Sequence, residues 1–418
     1  MKILIKQAKL IFPSSPLNGQ TKDILIENGT IKRIGDGISE KADQTIEQKG
    51  LCASIGWMDI FADFADPGFE FREDILSGAR AAASGGFTDV LLIPNSNPVA
   101  DNKAQIDYSI QKSKQATVTI HPIAAITKRT EGKELAEMYD MQQSGAIAFS
   151  DGIHPVQNAG ILLKALQYVK ATDGLLIQVP DDSSIGANGL MNEGLVSTQM
   201  GLPGKPAIAE ELMVARDIKL TRYAGSRLHF TGISSPKSLE YIKRAKEGGI
   251  KISCSITPYQ VFFCDEDLKQ YDTDLKLNPP LRNQADMLAM RKALLEGSID
   301  CIASHHLPQH WDGKACEFEY AKPGMIGLET MFAAVTTIGL DAGSFVQMQA
   351  VNTRELLGLP LPQLKEGEPA CLSLFNPDEE FVFEERMIGS RSKNSPFIGK
   401  KLKGRVIGII NRNNLHLN

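Results

Sequence analysis

The chain has 418 residues, 42% hydrophobic and 23% charged, with a net charge of -5. That length allows a large core and more than one domain, and the mild acidity excludes a broad basic surface for nucleic acid. No apolar run approaches the roughly 18 residues of a membrane span, and charge interrupts Met1 to Lys9 where a signal peptide would be apolar. The six cysteines show no Cys-x-x-Cys pair, which suits reduced thiols and a cytoplasmic location; Cys254 and Cys301, inside apolar runs, read as core.

In chain order, residues 1 to 52 hold short alternating runs, Lys2 to Ile5, Asp23 to Ile26 and Thr30 to Ile34, with Asn28-Gly29 as a tight hairpin turn. Apolar strands then alternate with helical stretches, the pattern of a parallel α/β barrel. The predicted strands are Trp57 to Phe64, Thr88 to Pro94, Val118 to Ile126, Ala146 to Ser150, Gly174 to Val179, Arg227 to Ile233, Ile250 to Ile256 and Asp300 to Ser304. Helices are predicted over Glu73 to Ser84 and Ser238 to Glu247, each closed by a glycine pair that permits a left-handed cap. Strands return at Leu372 to Phe375, Phe381 to Phe383 and Arg405 to Ile410, with Asp378-Glu379-Glu380 read as a loop and Lys400 to Arg405 as a solvated turn. The expected division is a (β/α)8 TIM barrel over 53–360 and a composite β-sandwich from 1–52 and 361–418.

The segment Gly56-Trp57-Met58-Asp59-Ile60-Phe61-Ala62-Asp63-Phe64-Ala65-Asp66-Pro67-Gly68 resembles the first-strand signature of the dihydroorotases, Gly-Phe-Ile-Asp-x-His-x-His-x-Arg-x-Pro-Gly. Further motifs follow in family order: Pro94-Asn95-Ser96-Asn97-Pro98, Phe149-Ser150-Asp151-Gly152, Met191-Asn192-Glu193-Gly194, Asn278-Pro279-Pro280-Leu281-Arg282, Gly327-Leu328-Glu329-Thr330 and Lys393-Asn394-Ser395-Pro396-Phe397. The resemblance spans nearly the whole chain. It implies a barrel with a flanking β-sandwich and cyclic-amide chemistry on a zinc centre, the metal lowering the pKa of a bound water and polarising the carbonyl.

The resemblance assigns six positions to that centre and its base, and five are changed. The strand-one histidines are Phe61 and Asp63, those of strands five and six fall on Gln178 and Gly232, with His229 upstream, and the strand-eight aspartate is His305; Asp151 alone is kept. Asp63, Asp151 and His305 are the residual metal candidates, and no cofactor is expected. Of the groups that hold the substrate carboxylate in such proteins, the arginine has become Ala65 and a histidine Gln309, while Asn95 and Asn278 remain as substrate-binding candidates. His306, next to His305, points to the opposite strand face and reads as structural. His154 and His310 read as loop residues, Asp59 as scaffold and Asp74 as a first-turn helix acid.

The resulting expectation is a catalytically impaired or inactive dihydroorotase-like protein. Its implied role is structural or regulatory, with aspartate transcarbamoylase as partner or through self-association. The alternatives are an active cyclic-amide hydrolase with an atypical metal site, and a small-molecule binding protein using the old pocket.

Overall fold

The computed structural model describes residues 1–13 and 15–418. The alternating N-terminal runs become β1 (Lys2–Leu10), β2 (Thr21–Glu27), β3 (Thr30–Gly35), β4 (Gln44–Ile46) and β5 (Cys52–Ile55). Strands β2 and β3 are joined at Asn28-Gly29, both with positive φ (50° and 75°), as a two-residue hairpin with a right-handed strand twist requires.

The barrel strands follow: β6 (Trp57–Ala62), β7 (Phe87–Leu92), β8 (Thr119–Ala124), β9 (Ala148–Phe149) and β10 (Leu175–Gln178). A short parallel excursion, β11 (Met191–Asn192) with β12 (Gly204–Lys205), precedes β13 (Arg227–Phe230), β14 (Ile252–Ile256) and β15 (Cys301–Ile302). The eight barrel strands pair in parallel from β6 to β15, one in each predicted strand. The circle closes where the segment after β15 meets β6. Ala62 bridges His306, the Asp63 amide donates to the His306 carbonyl at 2.8 Å, and the Asp59 carboxylate accepts from both the amide and the hydroxyl of Ser304 at 2.7 Å. Asp59 is the clasp of the barrel, in keeping with its scaffold reading.

The helices after β6 and β13 run Ile75–Ser84, capped by the Asp74 carboxylate on the Leu76 and Ser77 amides, and Pro236–Glu247, capped by Ser235. In each closing glycine pair only the second residue, Gly86 or Gly249, is left-handed.

The chain ends in β16 (Cys371–Val382), β17 (Lys401–Asn411) and β18 (Asn414–Leu417), which complete a mixed eight-stranded sheet in the order β18-β17-β16-β5-β1-β2-β3, with β4 beside β1. Together these form the β-sandwich beside the TIM barrel. The sandwich sheet takes β5, reaching Ile55, beyond the expected edge at residue 52, because β5 pairs with both β1 and β16.

Two charged runs need correction. Asp378 to Glu380 and Lys401 to Arg405 lie in strands β16 and β17, where Lys401 meets Glu380 (2.5 Å), Lys403 meets Asp378 (3.1 Å) and Arg405 meets Glu379 (2.9 Å). Opposite charges facing across an antiparallel pair support the strands that each run, read alone, argues against. Barrel and sandwich are joined around buried Trp57, whose ring lies 4.8 Å from Phe345, 5.0 Å from Phe332 and 5.1 Å from Phe375 of β16.

Candidate functional site

Alternation along β13 and β14 puts His229 and Thr231 on one face, beside Ser253 and Ser255 of the neighbouring strand, with His229 in register with Ser253. The His229 ring meets the Ser253 hydroxyl through Nδ1 (2.8 Å) and that of Ser255 through Nε2 (3.0 Å). Ser255 donates to the Thr231 hydroxyl at 2.9 Å, which in turn meets His305 Nε2 at 2.8 Å. His305 stacks on Phe61 of β6, ring centroids 4.4 Å apart and planes at 28°. Aromatic rings and a chain of neutral hydroxyls and imidazoles therefore fill the end of the barrel.

Gly232 belongs to the same arrangement. Its φ is +70°, and a Cβ there would lie 2.6 Å from His305 Cε1, so the glycine at 232 and the imidazole at 305 are coupled choices. His305 itself sits at φ +42°, a left-handed conformation that turns its ring into the barrel mouth.

The residual metal candidates are already engaged elsewhere. Asp63 accepts from the Ala65 amide (2.6 Å) and pairs loosely with Arg72 (3.5 Å); burial pushes its carboxyl above the usual range, against the nearby guanidinium. Asp151 accepts from the amides of Ile126 and Thr127 (both 2.9 Å) and the Thr127 hydroxyl (2.5 Å); burial nevertheless raises its pKa to about 6. Gln178 is turned to the Val156 backbone and Asp217. Among the described residues no group of three or more His, Cys, Asp and Glu side chains is gathered for a metal ion. Zinc needs three or four N, O or S donors at about 2.0–2.3 Å, and the donor set here does not fit it.

Burial drives His229 down to about 4, with the Asp300 charge opposing it only in part, and drives His305 to about 3, with the neighbouring His229 ring adding to the effect. Both lie below the ordinary 6.5, so the stability of the neutral rings is present above that pH and is lost as pH falls towards 4 and 3. Each ring is expected to cost the fold about 2 kcal/mol by pH 5. Ring carbon and proton shifts followed by NMR should show both imidazoles neutral at pH 6; a ring titrating near 6.5 would contradict this.

Above the stack opens a cavity of about 780 Å³, lined by Phe61, Asp63, Asn95, Asn278 and His305 among others. Of the two retained asparagines, Asn95 binds the Asp151 carbonyl (3.1 Å) and the Ile153 amide (3.1 Å), and Asn278 accepts from Lys205 (2.9 Å) and donates to Asp181 (3.3 Å). Both shape the wall. Gln309 also reaches the cavity, held by the Pro323 carbonyl and by Asn394. His154 and His310, expected as plain loop residues, line it too, His310 paired with Asp312 at 2.7 Å. His306 lies outside, buried with its Nε2 3.7 Å from Glu73, in keeping with a structural role.

Sequence reasoning passed over Arg72. Its guanidinium lies 4.6 Å from the Phe69 ring, and its Nε is buried without a partner among the described residues. The signal available was an arginine set among Phe69 and Phe71 just beyond strand one. Thr231, Ser253 and Ser255 were missed as well, although polar residues at alternate positions of predicted core strands mark a facing polar chain.

Residues 53–238 match the family model described as Dihydro-orotase-like. The chain is 38% identical to a dihydroorotase of Syntrophus aciditrophicus, covering 97% of both chains, and 40% identical to one of Pelotomaculum thermopropionicum, covering 97% of this chain and 96% of that one. In fold it is similar to an L-hydantoinase (dihydropyrimidinase) from Arthrobacter aurescens, with a TM-score of 0.86 at 20% identity over 99% of this chain and 95% of the other. A D-hydantoinase from a Thermus species gives 0.82 at 18% identity over 100% and 95%. With near-complete coverage at this identity, and with a barrel and sandwich of the same form, the chain belongs to the dihydroorotase-like family.

Proposed function

We propose that this protein belongs to pyrimidine biosynthesis but lacks the metal-dependent ring chemistry, and acts as a structural or regulatory partner of aspartate transcarbamoylase. The relatives named dihydroorotase support the pathway. The observation that carries the loss of chemistry is the Phe61–His305 stack, aromatic rings occupying the barrel end on which the family resemblance places donors and base. Phe61 offers no lone pair, and His305 Nε2 is committed to Thr231. The fold is nonetheless kept in detail, from the Asp59 clasp to the sandwich, so the scaffold remains available for association.

Two experiments test this. Expression in a strain lacking dihydroorotase is expected to give no growth without pyrimidine; growth would establish an active enzyme instead. Co-expression with the transcarbamoylase of the same organism, followed by size-exclusion chromatography with light scattering, is expected to give a joint assembly burying roughly 1,200 Å² or more per contact. A protein that neither co-elutes nor self-associates would leave a second reading, a small-molecule binding protein, which the 780 Å³ cavity favours.

A further inference from the structure

The chain of hydroxyls and imidazoles inside the barrel has a direction. Ser255 gives its one proton to Thr231, so Ser255 accepts from His229 Nε2, and Ser253 in turn donates to His229 Nδ1. Thr231, already accepting from Ser255, has its own proton left for His305 Nε2. A neutral His305 therefore carries its ring proton on Nδ1. That nitrogen has no partner among the described residues and, unlike His306 Nε2, is not shut off from solvent. Because His305 lines the 780 Å³ cavity, the chain ends in an N–H donor presented to it.

Arg72 opens on the same cavity. Its Nη2 reaches Asp63 at 3.5 Å and its Nε is buried, but Nη1 has no partner among the described residues and stays accessible on a side chain 17% exposed. Elsewhere on the wall Arg129 is paired with Glu131 at 3.1 Å and Asp312 with His310 at 2.7 Å, which leaves the exposed Lys322 without a counter-ion among the described residues. The rim is apolar: Phe71 is 57% and Ile153 39% exposed, and the Arg72 guanidinium lies over the Phe69 ring. We propose that this cavity binds a small aromatic carboxylate, its anionic end taken by Arg72 and its ring by the apolar rim, with His305 Nδ1 as a second donor to it. Two open donors suit two carboxylate oxygens, the unpaired Lys322 favours a negative ligand, and a guanidinium lying over one aromatic ring can stack a second on its other face. The assignment rests on the ligand-binding reading of this cavity and stands beside the loss of metal chemistry.

Cinnamate, its neutral amide and acetate are suitable probes of the full-length protein. Titration calorimetry at pH 7 is expected to show saturable binding of cinnamate, with cinnamamide about tenfold weaker and acetate, which lacks the apolar body, about a hundredfold weaker. Arg72→Gln should weaken cinnamate about tenfold and move cinnamamide little, and Lys322→Ala, at an exposed position, should weaken cinnamate about threefold. Nitrogen NMR of the imidazoles should show His305 bare at Nε2 and protonated at Nδ1, with the Nδ1 resonance moving when cinnamate is added. Equal binding of acid and amide would overturn the anionic class while keeping the ligand-binding reading; failure of both to saturate would overturn the two together. Unchanged cinnamate affinity in both variants, or a His305 proton on Nε2, would also overturn the assignment.

Discussion

Replacing Glu329 with glutamine is expected to raise stability by about 1 kcal/mol at pH 5 and by about 4 kcal/mol at pH 8. The carboxyl is held at about 8 by burial, against an ordinary value near 4.5, while the amides of Gly389 and Ser390 and the Lys393 charge pull it down only in part. In the unfolded chain the group ionises as pH passes 4.5, but in the fold it cannot do so until about 8. The stabilising effect of its protonated state is therefore complete below 4.5 and lost as pH rises through that window. Glutamine resembles the protonated acid in shape and does not ionise, so the difference between the two proteins should widen steadily with pH. Chemical denaturation at pH 5, 6.5 and 8 reads it directly. A difference independent of pH would mean that Glu329 is ionised in the fold throughout.

The second large effect is expected at Gly232. Alanine there must adopt φ near +70° and place its Cβ against His305. The left-handed backbone costs about 1 kcal/mol and the overpacking about 2 kcal/mol, a loss of about 3 kcal/mol in all. In a His305→Ala background the steric part disappears, and the same substitution should cost only about 1 kcal/mol. Urea denaturation of the four proteins closes this double-mutant cycle. Equal costs in both backgrounds would show that the glycine serves the backbone alone and that the two positions are independent.

The barrel was legible because its eight strands are apolar runs at regular spacing, and because Asp59 and the Asn-Gly hairpin sit in motifs with a local cause. The sandwich was less so. A charged run such as Lys401 to Arg405 is a turn or a strand depending on what lies across from it, and its partner, Asp378 to Glu380, is set by a long-range register that no local pattern carries. The site was legible as a list of replaced residues but not as an arrangement. That Asp63 and Asp151 bind nearby backbone amides rather than each other, and that Phe61 and His305 stack, depends on side-chain directions fixed by packing. The His229, Thr231, Ser253 and Ser255 chain could have been found from the alternation of polar residues on adjacent strands. Arg72 could not be placed without the loop conformation that lays it over Phe69.

The sheet shared by the two ends of the chain bears on how the protein is made. Leu372 to Phe375 pair with Cys52 to Ile55, so one edge of β5 lacks its partner until the barrel between them has been translated. At ribosomal speeds that interval is on the order of tens of seconds. During it β5 presents unpaired amides and carbonyls in a sequence, Cys52-Ala53-Ser54-Ile55, without a charge to discourage strand addition. Biogenesis of this protein is thus exposed to misassembly through most of synthesis, until β16 emerges, at a strand that the finished molecule buries.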